Sequence, residues 1–339
     1  MGRFNKENEP LVSIICTAYN HGKFIKNALE GFLMQKTTFA FEVLIHDDAS
    51  TDNTADIIRE YEKKYPNIIK VIYQKENQYS KGKIPTIFLY EKAKGKYLAF
   101  CEGDDYWTDE NKLERQVSFL EKDYNYYGTV HNYLLIDENG KEIFSKNFFR
   151  EHDIETVEEL KKWGMLCSQT ATIVCRNFWK EFNKKQKENF IKIKTYGDLK
   201  INLIMLMKGK VHFFQKIMSY YRITYNTDSW TSKMKDKNLT LVKYNMDREL
   251  EKMALNIFNQ KIKINSESKL KEALFIFFKN KKMEDLKIFI KVFILKEKKI
   301  KSIFYLLKTI GIKCLKIAGI KIKQNKLSFE YIIPKEDCL

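Results

Sequence analysis

The sequence predicts an α/β fold with a mostly parallel central sheet flanked by helices, followed by a mainly α-helical, basic C-terminal region. Over residues 11–102, short apolar runs alternate with amphipathic segments, the pattern of strand–helix–strand crossover units. Hydrophobic residues make up 44% of the 339 positions, which is enough for a large core. Residues 240–339 hold 22 Lys and one Arg against 11 Asp and Glu, so they carry +12 of the net charge of +17.

Four predicted strands alternate with three predicted helices. Each strand is an apolar run, and each helix shows apolar residues three or four positions apart. The strands cover residues 11–17, 41–46, 68–74 and 96–102, and the helices lie within 23–35, 47–66 and 84–95. Pro66 ends the second helix, and Gly95 is expected near the C-cap of the third.

Polar side chains follow three of the predicted strands. They occupy Thr17 to Asn20, Asp47 to Ser50, and Glu102 to Asp105. Ligands on a parallel sheet bind beyond the carboxyl ends of its strands, so these are candidate site residues. The first set could also be a simple turn, and the second could be a helix N-cap cluster.

The third set is the hardest to explain as surface structure. Glu102, Asp104 and Asp105 lie within four residues, and neighbouring carboxylates repel one another by about 1 kcal/mol or more at intermediate dielectric. A hard divalent cation would relieve that repulsion, although a solvated acidic turn is the alternative. Gly103 allows the tight turn. Neither GxGxxG nor GxxxxGK, the glycine-rich phosphate loops, occurs in the chain.

Cysteines and the N-terminus indicate the compartment. The six cysteines form no CxxC pair, so we expect reduced thiols of a cytoplasmic protein. The first ten residues, MGRFNKENEP, contain no apolar run, so no secretory signal is expected.

The basic C-terminal region has three interpretations. Its most apolar window, SIFYLLKTIGIKCLKIAGI, is interrupted by Lys308, Lys313 and Lys316, so no spanning helix of about 20 residues is predicted. Amphipathic, lysine-rich helices suit an anionic membrane surface. They could equally pack on the rest of the chain or on a second subunit. Nucleic-acid binding is not expected, because the aromatic and basic residues form no known module.

Five segments occur in a characteristic order. They are VSIICTAYN from Val12, FEVLIHDDASTDNT from Phe41, NQYSKG from Asn77, KAKGKYLAFCEGDDYWTDENKLERQVSFLE from Lys92, and YGDLKINLIMLMKGKVHFFQKIMSYYRIT from Tyr196. Together they resemble the family 2 inverting glycosyltransferases, which adopt the nucleotide-sugar-binding GT-A fold. The resemblance covers about residues 9–230. It implies a GT-A type, Rossmann-like sheet.

The resemblance implies a nucleotide-sugar donor held by the strand ends. Thr17 and Tyr19 would contact the nucleobase, Tyr19 by stacking, and Asp48 would accept a hydrogen bond from the base ring. Lys81 or Lys83 could add positive charge near the diphosphate, although an exposed lysine in so basic a protein is usually only solvated.

The acidic motif matches the family's DxD-type metal site. Asp104 is the best match for the ligand of Mn²⁺ or Mg²⁺, with Asp105 beside it as a second ligand. Glu102 stands where an aspartate is usual, near the ribose or supporting the site, and its role stays open.

An inverting transfer needs a base for the acceptor hydroxyl. The matching residue is Asp198, which could instead only cap the helix that follows it. Thr224 replaces a histidine that relatives often carry after "YRI". His131 could contact the acceptor or be a structural histidine, and Trp107 is expected to pack beside the metal site.

The sequence therefore predicts a metal-dependent inverting glycosyltransferase. Its catalytic domain would cover 1–235, with a nucleotide-binding half at about 9–125 and an acceptor half at about 126–235, and the basic helical region would cover 236–339. The donor is expected to be a UDP-sugar and the acceptor a cell-surface glycan or a lipid-linked precursor. The expected location is cytoplasmic, or peripheral at the inner face of the membrane.

Two other functions stay open. A sugar-nucleotide-binding or scaffold protein without activity would keep Thr17, Tyr19 and Asp48 but have no use for Asp198. A nucleotidyltransferase would also use carboxylates and Mg²⁺, but it typically has a glycine-rich, basic N-terminal loop that this sequence lacks.

Overall fold

The structure is a computed structural model that describes residues 9–143, 153, 169–224 and 239–264. The chain divides into two units, Met1–Lys233 with Arg248–Ile262, and Met234–Asp247 with Lys263–Leu339. The predicted boundary at 235 and most of the predicted basic helical region lie outside the described residues and stay predictions. Within the described part of the chain, no helix is long and apolar enough to cross a membrane.

Strands and helices alternate through the first part of the chain, as predicted. The elements are, in order, β1 (Val12–Ala18), α1 (Ile25–Leu33), β2 (Phe41–Asp47), α2 (Thr54–Lys64), β3 (Ile69–Tyr73), α3 (Pro85–Tyr90), β4 (Tyr97–Phe100), β5 (Tyr106–Trp107), α4 (Lys112–Lys122), β6 (Tyr126–Ile136), β7 (Glu142–Ile143), a 3₁₀ turn (Thr170–Thr172), β8 (Val174–Arg176), α5 (Phe178–Glu181), α6 (Lys184–Lys192), α7 (Gly197–Lys208), β9 (Lys210–Arg222) and α8 (Leu239–Phe258). The α/β fold class is confirmed.

The described strands form one mixed sheet in the order β3-β2-β1-β4-β8-β6-β9-β5, with β7 paired to β6. The first half, β3-β2-β1-β4, is wholly parallel, as the crossover pattern predicts. The second half departs from a mostly parallel sheet. There β8 runs antiparallel to both β4 and β6, whereas β9 runs parallel to β6.

The inner strands of the parallel half, β1, β2 and β4, are buried because helices cover them, whereas the edge strand β3 is mostly half-buried. Every residue of β2 and β4 is buried, and β1 has one half-buried residue, Thr17. Such burial explains why these strands appear in the sequence as continuous apolar runs rather than alternating ones.

Gly95 has a different role from the one predicted. Helix α3 ends at Tyr90, so Gly95 is not its C-cap. A Cβ atom at this position would lie 2.5 Å from the backbone nitrogen of Ser13 and 2.7 Å from the carbonyl carbon of Val12. The glycine therefore lets the chain entering β4 approach the start of β1 closely.

A buried carboxylate joins three segments at that end of the sheet. Glu42 is 2% exposed and accepts hydrogen bonds from the Ser13 hydroxyl at 2.7 Å and the Lys94 backbone N–H at 2.8 Å. Its other oxygen accepts from the Lys70 ammonium at 2.8 Å. The donors come from β1, from β3 and from the loop that leads into β4, so the charge of Glu42 stabilises the alignment of these three strands.

We expect Glu42→Ala to lower the free energy of unfolding by about 2–4 kcal/mol, because it leaves the buried Ser13 hydroxyl and the part-buried Lys94 N–H without their acceptor. Chemical denaturation measures the loss. The control is Glu60→Ala on the exposed face of α2, expected to change stability by about 0.5 kcal/mol or less. Equal stability of the two variants would contradict this role for Glu42.

Candidate active site

The acidic loop, residues 102–105, lies directly after β4. Glu102, Asp104 and Asp105 each offer a carboxylate oxygen within 4.8 Å of the other two. The Gly103 N–H donates to the Thr17 carbonyl at 2.9 Å, so the loop is tied to the end of β1. The fold thus brings two of the three predicted strand ends into direct contact.

Asp105 is turned into the protein. It is 1% exposed, and one of its oxygens accepts from the Arg222 backbone N–H at 2.8 Å. The other oxygen accepts from the side-chain amide of Gln169. Burial, followed by the charges of Asp104 and Glu102, raises the pKa of Asp105. Both of its oxygens have protein donors, so Asp105 anchors the loop, and its predicted role as a metal ligand stays a prediction.

Asp104 and Glu102 keep solvent-exposed surface, and we call the region between them and Asp198 the cleft. The Asp104 Oδ1 atom is buried and accepts no hydrogen bond from any described residue. Part of the Glu102 side chain is exposed to solvent. Protein atoms nevertheless surround its carboxyl group, and this desolvation is the main cause that raises the pKa of Glu102 to about 8. The charges of Asp104 and Asp198 raise it further. Asp104 Oδ1 is therefore an acceptor without a donor, and the carboxylates around it repel one another. A divalent cation would bind that oxygen and reduce the repulsion, and its charge would favour the ionised form of Glu102.

Asp198 comes to the same cleft from the second half of the sheet. It lies in the first turn of α7, whose N-cap is Tyr196, so Asp198 is not the capping residue. Its carboxylate accepts the Leu199 N–H at 2.7 Å, and burial raises its pKa to about 6. Because the charge of Asp198 raises the pKa of Glu102, the two carboxylates lie close enough to interact.

Asp48 organises the loop that follows β3. It is 3% exposed, and its two oxygens accept the backbone N–H groups of Gln78 at 2.8 Å and Tyr79 at 3.0 Å. The predicted base-binding carboxylate therefore already has two donors, which hold the residue 77–83 loop against the end of β2. Tyr19 is 39% exposed, as a stacking residue requires.

Hydrogen bonds join the end of β1 to the end of β2. They involve Asn20, which the sequence alone could also explain as a turn residue, and the segment that it could explain as a helix N-cap. Asn20 Oδ1 accepts the Thr51 N–H at 2.8 Å, and the Asn20 N–H donates to Ser50 Oγ at 2.9 Å. Asn20 and Ala49 both have left-handed backbones, with φ of 56° and 62°. These bonds offset the cost of that conformation and fix the position of Tyr19.

Lys81 and Lys83 interact within their own loop. The Lys81 ammonium pairs with Glu76, and half of its side chain is exposed. The Lys83 ammonium donates to Gln78 Oε1 at 2.9 Å. The structure therefore shows a loop-stabilising contact for each, and a contact of Lys81 with the donor stays a prediction.

Arg222 and Gln169 are the site residues that the sequence reasoning missed. Arg222 is 5% exposed, and its guanidinium donates to the carbonyls of Asp104 at 2.9 Å, Asp137 at 3.1 Å and Glu138 at 3.4 Å. Arg222 ends β9 directly after the aromatic residues Tyr220 and Tyr221, and this placement was the signal that could have identified it, since arginine is rarely buried without partners. Gln169 offers no such signal.

The other residues singled out by the sequence are structural. Trp107 is 1% exposed and donates to the Ala171 carbonyl at 3.0 Å, so it packs in the core two positions after the acidic loop. His131 is fully buried, and its Nδ1 lies 2.7 Å from the Asn132 carbonyl oxygen. Thr224 is 6% exposed.

Comparison with known proteins identifies the family. The family model described as "Glycosyl transferase family 2" matches residues 13–182, half of the chain. The chain belongs to glycosyl transferase family 2. The predicted family is thereby confirmed, and the match spans both the acidic loop and the strand ends that precede it.

Individual relatives match this chain over different lengths. TuaG of Bacillus subtilis, named for teichuronic acid biosynthesis, is 29% identical over 247 residues, 72% of this chain and 90% of TuaG. WfaP of Escherichia coli, a UDP-Glc:alpha-D-GlcNAc-diphosphoundecaprenol beta-1,3-glucosyltransferase, is 38% identical over 125 residues, 37% of this chain and 47% of WfaP. An uncharacterised protein of Mycobacterium tuberculosis is 41% identical over 129 residues, and the match spans only 37% of that protein.

A solved structure agrees on the fold. Residues 1–349 of TarS from S. aureus, in complex with UDP-GlcNAc, superpose with a TM-score of 0.54 at 19% identity, covering 83% of this chain and 78% of that one. The agreement supports a GT-A type architecture for this family 2 chain.

We expect Arg222→Lys to loosen the acidic loop, because a single ammonium cannot bond the carbonyls of Asp104, Asp137 and Glu138 together. Amide hydrogen exchange of residues 101–107 should accelerate by about tenfold or more, the equivalent of one lost charge-assisted hydrogen bond.

The matched control is Arg176→Lys. Arg176 donates to the Leu120 carbonyl at 2.8 Å and the Tyr126 carbonyl at 3.1 Å, at the opposite end of β4. Its loss should leave exchange in the acidic loop unchanged. Equal acceleration in both variants would show that Arg222 has no specific role there.

Proposed function

We propose that this family 2 chain is a metal-dependent inverting glycosyltransferase, which moves a sugar from a UDP-sugar to a hydroxyl of a cell-surface glycan or a lipid-linked acceptor. The observation that carries the proposal is that Asp198 lies close enough to the acidic loop for its charge to raise the pKa of Glu102. A protein that only bound sugar nucleotides would need the loop but not a second carboxylate with a pKa raised toward neutrality.

The acidic loop would hold the diphosphate end of the donor. Asp104 would bind Mn²⁺ or Mg²⁺ through the oxygen that has no partner among the described residues, with Glu102 and Asp105 adjacent. The cation, when bound, stabilises the negative charge that the leaving diphosphate gains. Arg222 holds the loop in place by its bond to the Asp104 carbonyl, so the cation-binding carboxylate needs little reorganisation.

Asp198 would act as the general base. The acceptor oxygen bonds to the anomeric carbon as the bond from that carbon to the phosphate oxygen breaks, and the acceptor proton passes to Asp198. The nucleoside diphosphate leaves with the bonding electron pair. A carboxylate whose pKa burial raises to about 6 is a better proton acceptor near neutral pH than an ordinary aspartate. The Leu199 N–H holds it in position.

Donor and acceptor are supported by the relatives. WfaP uses UDP-Glc and a diphosphoundecaprenol-linked sugar, as its name states, and TuaG is named for teichuronic acid biosynthesis. The basic C-terminal region would suit an acceptor at an anionic membrane surface, on its cytoplasmic face.

We expect Asp198→Asn to lower kcat by at least a hundredfold while leaving the dissociation constant of the donor within about twofold, because the amide cannot accept the proton. Turnover is measured as release of nucleoside diphosphate, and donor affinity by calorimetry.

The control for this change is Asp56→Asn, which alters the same residue type in the first turn of the exposed helix α2. It should retain full kcat. If Asp198→Asn keeps wild-type turnover, Asp198 is a structural carboxylate and the base must be sought elsewhere.

We also expect Asp104→Ala to lower turnover at least a hundredfold with an unchanged melting temperature, because its free carboxylate holds the cation rather than the fold. Asp105→Ala should lower the melting temperature as well, since it leaves the Arg222 N–H and the Gln169 amide without their acceptor. Wild-type turnover in Asp104→Ala would contradict the metal assignment.

A further inference from the structure

His21 stands beside the acidic loop, and neither of its ring nitrogens makes a hydrogen bond to a described residue. It lies between β1 and α1, and its Nε2 atom is 3.8 Å from Asp104 Oδ2. That distance is too long for a hydrogen bond. Its Nδ1 atom is buried and has no hydrogen-bond partner among the described residues. The side chain is 21% exposed, so part of the ring reaches the cleft.

The position of the ring is nevertheless well defined. The His21 carbonyl accepts the N–H groups of Phe24 and Ile25, both at 2.8 Å, which fixes its backbone at the start of α1. A Cβ atom on Gly103 would lie 2.9 Å from His21 Nδ1. The loop therefore has a glycine at the point where the imidazole packs against it, and any side chain there would displace the ring.

The charged groups around His21 indicate what its ring could bind. Three carboxyl groups, Glu102, Asp104 and Asp198, lie at this site, and the donor brings a negative diphosphate to them. The guanidinium of Arg222 is occupied by backbone carbonyls. Among the described residues, His21 is the one basic side chain within 4.0 Å of the Asp104 carboxylate.

We propose that His21 donates a hydrogen bond to the diphosphate of the nucleotide-sugar donor. The inference rests on the proposed function, since it assigns a further residue to the same donor site. The Nε2 atom of His21 lies beside the carboxylate of Asp104, so phosphate oxygens that share the cation with Asp104 would come close to it. A hydrogen bond to a charged phosphate oxygen is among the stronger hydrogen bonds. His21 would thus bind the leaving group directly, whereas Arg222 acts through the loop.

The test compares a nucleoside diphosphate with its nucleoside. Binding of the tightest of UDP, GDP and dTDP is measured by calorimetry with Mn²⁺, and binding of the matching nucleoside by ligand-observed NMR. We expect His21→Ala to weaken diphosphate binding by about tenfold and nucleoside binding by less than twofold. His21→Lys, which keeps a donor, should restore most of the affinity.

Two controls separate this role from others. Lys23→Ala removes an exposed basic residue of the same loop and should leave diphosphate affinity unchanged. Mn²⁺ binding without nucleotide, followed by electron paramagnetic resonance, should be the same in wild type and His21→Ala. Melting temperatures identify any variant that fails to fold, and His21→Phe, which keeps a ring but has no N–H donor, then replaces His21→Ala.

Three results would overturn the inference. Unchanged diphosphate affinity in His21→Ala would show that the ring does not contact the phosphates. Equal losses for nucleoside and diphosphate would indicate a general disturbance of the loop, and weaker binding of Mn²⁺ alone would make His21 a metal ligand instead. If the wild-type protein binds Mn²⁺ but none of the diphosphates, the proposed nucleotide-sugar donor is wrong. That result differs from the three above, which concern only the role of His21.

Discussion

The crowding of carboxylates around Asp104 is the constraint on which the rest of the site depends. Repulsion among Glu102, Asp104 and Asp105 would open the acidic loop unless other groups opposed it. The protein opposes it with fixed donors, the Arg222 backbone and guanidinium on one side and Gln169 on the other. What those donors leave uncompensated is the buried oxygen of Asp104, the atom best suited to a cation.

The sheet explains how these groups meet. Its parallel half, β3-β2-β1-β4, brings the polar strand ends to one edge, where each carboxyl end delivers side chains to the same cleft. In the second half, Gln169 precedes the 3₁₀ turn that leads into β8, Asp198 lies in the first turn of α7, and Arg222 ends β9, so all three return to that edge from far along the chain. The donor-binding residues thus come from a continuous stretch, whereas the groups that hold the loop and accept the proton come from long-range contacts.

Hydrogen-bond partners separate the residues that build the site from those free to act in it. Asp48 and Asp105 have protein donors on both oxygens and are almost fully buried. Asp104 and His21 lie at the cleft with atoms that no described residue bonds. In the sequence, all of the aspartates look alike. Their surroundings, rather than their chemical type, divide them into anchoring and reactive groups.

The sequence by itself determined the α/β alternation, the strand ends and the acidic cluster, because apolar periodicity and turn chemistry are local properties. It also located Asp198 through the order of its motifs. Only the tertiary structure decided that Gly95 serves a close backbone contact, that Asp105 points inward, and that Arg222 braces the loop. Those outcomes depend on contacts between residues more than 80 positions apart, and local patterns carry no information about such pairs.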